Sequence, residues 1–133
     1  VMDKKNFDVL LATLKEKGVK LALATGSSKK TIEHHLKTVG AENVFDVIVP
    51  GTAVTNGKPA PDIFLLAAQN LGVNPAECYV IEDSPKGIIV GYNAGMKCIG
   101  IPDVIQFNDE TKALLTAEFS NLAEAIPFFE SLL

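Results

Sequence analysis

Four short apolar runs punctuate this chain, and a stretch of helical length separates each from the next: VKLALATG from Val19, VFDVIVPG from Val44, CYVIED from Cys78 and KCIGIP from Lys97. Runs this short, bounded by Gly or Pro and rich in β-branched residues, read as buried strands. The intervening segments read as helices. KKNFDVLLATLKEK, residues 4–17, sets Phe7, Leu10, Leu11 and Leu14 at helical spacing before Gly18. SSKKTIEHHLKTVG has Ser27 or Ser28 as a cap and Gly40 as a stop. GKPAPDIFLLAAQNLG opens on prolines suited to a first helical turn and closes on Gly72. SPKGIIVGYNAG is a further crossover helix. After residue 103 the pattern is less regular: NDETKALLTA suits a short helix, and NLAEAIPFFESLL a helix that Pro127 should kink or shorten. Strands that alternate with helices of this length predict an α/β fold: one mostly parallel sheet covered by helices on both faces.

With 133 residues the chain is a single domain that can bury a substantial core. Apolar residues make up 47% and charged residues 21%, the balance of a soluble globule. A net charge of −4 argues against a broad grip on nucleic acid. No apolar run reaches membrane-spanning length and no signal-peptide pattern is present, which sets the expectation of a cytoplasmic protein. Cys78 and Cys98 sit in apolar runs without a CxxC, so both are expected as reduced core residues.

Ligands of parallel α/β sheets bind beyond the carboxyl ends of the strands, so the residues just after each strand carry the functional information. After the first strand come Thr25, Gly26, Ser27, Ser28 and Lys29. Hydroxyls, free N–H groups and a helix start suit an anion such as phosphate, although serines there also serve simply as caps. After the second strand comes Lys58, a cation between Gly57 and Pro59, where a loop lysine is more often plain solvated surface. After the third come Glu82 and Asp83. Helix capping by Ser84 with Pro85 as first helical residue accounts for one acid there, but less well for two. Adjacent carboxylates repel unless a cation offsets them.

Thr25, Lys58 and Asp83 are separated by 58 − 25 = 33 and 83 − 58 = 25 residues, each about one strand–helix unit. All three therefore converge on one rim of the sheet. A phosphate held by Thr25 and Lys58, with Mg2+ held by Glu82 or Asp83, accounts for them together. Magnesium takes one or two protein carboxylates and completes its shell with phosphate and water.

These segments resemble a known family. LALATGS, GKPAPDIF and VIEDSPKGI look like the second, third and fourth motifs of the haloacid dehalogenase-like phosphohydrolases, most of all the β-phosphoglucomutase-like and sugar-phosphate phosphatase branch. The resemblance covers nearly the whole chain and implies a three-layer α/β/α, Rossmann-like core. It implies that Thr25 hydrogen-bonds the transferring phosphoryl group with help from the Gly26 N–H, and that Lys58 neutralises that group and the attacking carboxylate. It implies that Asp83 binds Mg2+ with Glu82 beside it, directly or through water. Ser27, Ser28 and Lys29 match substrate-loop positions. The implied partner is a small phosphorylated metabolite such as a sugar phosphate.

The family's central motif is missing. It works through an Asp-x-Asp pair whose first Asp attacks phosphorus and whose second is the general acid and base. The aspartates here are Asp3, Asp8, Asp46, Asp62, Asp83, Asp103 and Asp109, and none forms that pair. Asp46 begins a strand, at the wrong end of the sheet. The expectation is therefore the C-terminal part of a longer enzyme, whose nucleophile strand and helical cap lie in an N-terminal segment of the same protein. Such a chain is inactive alone. The alternative is a non-catalytic relative that binds phosphate or metal, or acts as a scaffold. A nucleotide-binding α/β domain would need a Gly-x-Gly-x-x-Gly turn, and none occurs.

Overall fold

A computed structural model describes residues 4–25, 28–40, 43–57, 60–102 and 106–132. The elements alternate as the sequence pattern expects: α1 (Lys4–Glu16), β1 (Ala22–Thr25), α2 (Lys29–Val39), β2 (Val47–Pro50), α3 (Asp62–Leu71), β3 (Tyr79–Glu82), α4 (Pro85–Asn93), β4 (Lys97–Gly100), α5 (Asp109–Lys112), β5 (Ala117–Glu118) and α6 (Leu122–Leu132). α2 and α3 both stop at glycines in the left-handed conformation, Gly40 at φ 73° and Gly72 at φ 74°. Only a residue without Cβ adopts that conformation at no cost. Ser28 caps α2, the second of the two serines considered for that position.

Alternation along each strand sends side chains to two helical layers. Leu21, Tyr79, Ile81, Ile99 and Ile101 pack against Leu10, Leu11 and Leu14 of α1 and against Leu122, Ala125 and Phe129 of α6. On the same face Leu23 and Ile48 meet Ile32 and Leu36 of α2. The opposite face sends Ala22, Ala24, Val47, Val49 and Val80 to Ile63, Phe64 and Ala67 of α3 and to Val90 of α4. Each fully buried Leu or Ile contributes roughly 1.5–3 kcal/mol relative to exposure. Leu10, with 1% exposure, anchors α1. The result is a three-layer α/β/α sandwich. Side chains of residues 4–8 lie outside the described part, so the expected inward role of Phe7 is not among these contacts.

The strands do not form one continuous ladder. Among the described residues β1 pairs only with β2, parallel, from Ala22↔Val47 to Thr25↔Pro50. β3, β4 and β5 form a second parallel sheet in that order, with Tyr79↔Lys97 to Glu82↔Gly100 and then Ile99↔Ala117 and Gly100↔Glu118. A cavity of about 670 Å3 lies against both β1 and β3. Leu21 to Ala24 line it from one sheet and Tyr79 to Glu82 from the other. Leu10, Leu14 and Phe129 close it from one layer, and Phe64, Ala67 and Ala68 from the other.

Two features of the C-terminal part go beyond the sequence reading. The two-residue strand β5 has no counterpart in the sequence reading. Pro127 does not shorten the last helix, which runs through it to Leu132. Its start is fixed by a reciprocal cap: Asn121 Oδ1 accepts the Glu124 N–H at 3.0 Å, and the Ser120 N–H donates to Glu124 Oε1 at 2.8 Å. Further along, Phe128 and Phe129 both stack edge-on against Tyr79, with ring centroids 6.3 and 5.7 Å away.

Candidate active site

Parallel pairing brings the carboxyl ends of neighbouring strands level, and of the predicted site residues Thr25 and Glu82 fall at such ends. Thr25 ends β1 beside Pro50 at the end of β2. It is half-buried. Glu82 ends β3 beside Gly100 at the end of β4. Its carbonyl accepts the Ile101 N–H at 3.0 Å, which fixes the strand end. Thr25 and Glu82 thus end the two strands that flank the cavity.

The Glu82–Asp83 pair leads straight into α4. Ser84 is the N-cap, with Oγ accepting the Gly87 N–H at 3.1 Å, and Pro85 follows in the first turn, where its missing N–H costs nothing. Capping and the paired carboxylates are therefore compatible rather than competing accounts of this stretch. The hydroxyl of Ser84 lies 3.3 Å from Glu82 Oε1 and donates to it, and the Asp83 N–H donates to the same oxygen at 3.2 Å. The Glu82 carboxylate is thus folded back over the positive end of α4, where a negative charge is favoured. Asp83 sits next to it, half-buried.

Among the described residues no group of three or more His, Cys, Asp or Glu gathers to hold a metal. Two adjacent hard carboxylates are nonetheless the protein share that Mg2+ usually takes, the remaining sites going to water and phosphate oxygens. Glu82 and Asp83 fit that ion by the chemistry of their donors and by their place at a strand end.

The residues expected to face phosphate are described in part. Ser28 is exposed and its Oγ accepts the Thr31 N–H at 3.3 Å, so its hydroxyl serves the helix as a cap. Lys29 is exposed in the first turn of α2. Gly26, Ser27 and Lys58 lie outside the described residues. The chain on either side of Lys58 is tied down: the Gly57 carbonyl accepts the Ala60 N–H at 3.1 Å, and the Asn56 amide donates to Asp62 Oδ2 at 3.0 Å.

Asp46 stands at the opposite end of β2 from the rim. Its Oδ2 accepts the Leu21 N–H at 2.7 Å, and its other oxygen lies 3.8 Å from Lys15 Nζ. That places it in the frame and away from the chemistry, as its sequence position suggests. Cys78 and Cys98 are both free thiols, Cys98 fully buried and Cys78 half-buried. Burial first, and the nearby Glu82 charge second, push the Cys98 thiol up to about 11. Neither cysteine suits a nucleophile, because the thiolate is disfavoured. No helix among the described residues is long and apolar enough to cross a membrane.

One neighbour of Glu82 escaped the sequence reading. Gly87 is buried beneath the Glu82 side chain, and a Cβ there would overlap Glu82 Cγ, Cδ and Oε2. A glycine three residues after a Ser cap is the only trace of this in the sequence.

Comparison with known proteins gives the family. The family model described as "Haloacid dehalogenase-like hydrolase" matches residues 3–101. The "Phosphorylated carbohydrates phosphatase" of Thermotoga maritima is 39% identical over 107 residues, 80% of this chain and 49% of that protein. The "Beta-phosphoglucomutase" of Bacillus subtilis is 37% identical over 130 residues, 89% of this chain and 57% of that protein. Among solved structures, CbbY from Rhodobacter sphaeroides in complex with phosphate superposes with a TM-score of 0.80 at 31% identity, covering 90% of this chain and 54% of that one. The chain spans about half the length of these relatives.

Proposed function

The chain belongs to the haloacid dehalogenase-like hydrolases, in their β-phosphoglucomutase-like branch, and from that membership we propose that it forms part of the catalytic core of a Mg2+-dependent phosphatase or phosphomutase. Its substrate is a small phosphorylated metabolite such as a sugar phosphate, the class named for the Thermotoga maritima relative. The observation that carries this reading is the arrangement around the cavity. Thr25 and Glu82 end the two strands that flank it, and Asp83 follows Glu82 directly.

In this reading Thr25 donates its hydroxyl to the phosphoryl oxygens, with the Gly26 N–H beside it. Lys58 offsets the negative charge that gathers on the phosphoryl group and its attacker. Preorganised donors of that kind are worth about 2.7–4 kcal/mol each in a water-poor site. Glu82 and Asp83 hold Mg2+, which when bound neutralises phosphoryl charge and orients the group for in-line attack. Ser27, Ser28 and Lys29 border the substrate entrance.

The nucleophilic aspartate and its acid–base partner come from a segment outside these residues. That segment also supplies a strand that fills the cavity and pairs with β1 on one side and β3 on the other. Neighbouring strands lie about 4.8 Å apart, so one extended segment with apolar side chains on both faces satisfies both edges. Its carboxyl end then lies level with Thr25 and Glu82, where the attacking carboxylate is needed. Selection among substrates falls to the cap, also outside these residues.

The test is a hydrolysis screen of the full-length protein over a panel of sugar phosphates, with Mg2+ and with EDTA. Metal-dependent release of phosphate from at least one ester is expected. A folded full-length protein that turns over none of them would favour the non-catalytic alternative and overturn the proposal.

A further inference from the structure

Gly87 occupies the third position of α4, yet its backbone does not call for glycine. Among the described residues the glycines with positive φ are Gly18, Gly40, Gly72 and Gly95, and Gly87 is not one of them. Alanine would be the better helix former at such a position. What the site lacks is room. A Cβ on Gly87 would occupy the volume that the Glu82 side chain fills. With the side chain in that volume, Glu82 Oε1 accepts hydrogen bonds from Ser84 Oγ and the Asp83 N–H. Gly91, one turn on, is different. A Cβ there would meet Cys98 Sγ at 3.0 Å and Val80 Cγ2 at 3.1 Å, which is helix-to-sheet packing without Glu82.

We propose that Gly87 is a positioning residue for the metal site: its missing side chain admits the Glu82 carboxylate to the first turn of α4 and so sets where that carboxylate stands beside Asp83. This rests on the reading of Glu82 and Asp83 as Mg2+ ligands. It adds that one ligand's place is set by a residue that itself offers the ion no donor. Any side chain at 87 would push the carboxylate off the helix end and lose the Ser84 hydrogen bond with it.

The experiment is a four-cornered cycle in the full-length protein: wild type, Glu82→Ala, Gly87→Ala and the double variant. Thermal unfolding of the metal-free forms and Mg2+ titration by calorimetry are measured for each. Gly87→Ala should lower the Tm when Glu82 is present. In the Glu82→Ala background it should be neutral or raise the Tm, because the obstructed side chain is gone and the helix preference remains. Gly87→Ala should also weaken Mg2+ binding by about 10–100-fold, the usual cost of disturbing a group that orients a ligand, and the double variant should bind no worse than Glu82→Ala. Gly91→Ala serves as the packing control, lowering the Tm alike in both backgrounds.

An equal Tm loss from Gly87→Ala in both backgrounds would overturn the proposal. So would wild-type Mg2+ affinity in Gly87→Ala where Glu82→Ala weakens it. If Gly87→Ala does not fold, recovery of the fold in the double variant supports the proposal, and failure of the double variant as well overturns it. If Glu82→Ala itself binds Mg2+ like the wild type, the metal assignment fails and the positioning role falls with it. The Tm cycle still reports the Gly87–Glu82 contact, so the two failures are told apart.

Discussion

The Asp46 carboxylate accepts the backbone N–H of Leu21 at 2.7 Å, joining the residue before β2 to the residue before β1. This bond sets the two strands in step at the end away from the site, so that Thr25 and Pro50 finish level at the other. A hydrogen bond to a charged group contributes about 1.5–3 kcal/mol, whereas an exposed ion pair such as Lys15–Asp46 adds about 0–1 kcal/mol. Asp46→Ala should therefore destabilise the full-length protein by roughly 1–3 kcal/mol in urea unfolding, and Lys15→Ala by less than about 1 kcal/mol. Losses of equal size would show that the ion pair, and not the backbone bond, is the important contact.

Asp83→Asn keeps the shape of the side chain and removes its charge. Next to a doubly charged ion the neutral amide oxygen is a much weaker donor. Magnesium affinity should fall by at least about tenfold, since even outer partners of a metal ligand cost 10–100-fold when lost. Most turnover should go with it, and more Mg2+ should restore part of the rate. Wild-type affinity and rate in this variant would remove Asp83 from the metal site.

The alkaline limb of stability should carry the signature of Cys98. Its thiol, fully buried and donating to the Ile88 carbonyl at 3.5 Å, is raised from 9.0 to about 11 by burial and then by the Glu82 charge. In the folded protein it keeps its proton at a pH where the unfolded chain has lost it. Unfolding is therefore favoured progressively as pH rises from 9 toward 11, with no effect below that window. At about 1.4 kcal/mol per pKa unit, the two-unit shift is worth roughly 2–3 kcal/mol at most. Cys98→Ala should flatten the fall of stability over that window in urea unfolding followed against pH. An unchanged slope would rule the thiol out as its source.

Residues 1–133 expressed alone should behave poorly. The cavity is bounded by the edges of β1 and β3, and unpaired strand edges beside apolar surface attract other chains. Self-association or a broad, low-temperature unfolding transition is expected, and no hydrolysis of p-nitrophenyl phosphate. Sedimentation, thermal unfolding and a phosphatase assay check this. A monodisperse monomer with a sharp transition would defeat the argument from the edges. Mg2+-dependent activity lost in Asp83→Asn would require a nucleophile within these residues.

Where the sequence was informative, a single residue carried a local physical demand. Gly40 and Gly72 ended helices because a left-handed residue was needed there, and Ser84 with Pro85 started one because their side chains suit a first turn. Thr25, Glu82 and Asp83 stood out because strand ends in parallel sheets face ligands. Features that depend on the partner of a strand were not legible. β5 is two residues held by pairing to Ile99 and Gly100, which no local pattern announces. The role of Gly87 follows from the path of a side chain five positions earlier. Pro127 does not shorten its helix, which runs on to Leu132 while Phe128 and Phe129 pack on Tyr79.

The bridging position of α3 has a consequence for how the molecule comes apart. Ala22 pairs with Val47 and Tyr79 with Lys97, closing loops of 47 − 22 = 25 and 97 − 79 = 18 residues. Loops this short cost little entropy to close, so each half-sheet with its crossover helix is a local unit. Between the halves no strand ladder runs among the described residues, and on one face α3 packs on Ala24 and Val49 from one half and on Val80 from the other. Subglobal opening follows such divisions, since a unit that keeps its own ladder survives separation from its neighbour. The amides along β4, with a strand on either side, should exchange with solvent slowest, and those of the cavity-side edges of β1 and β3 long before them.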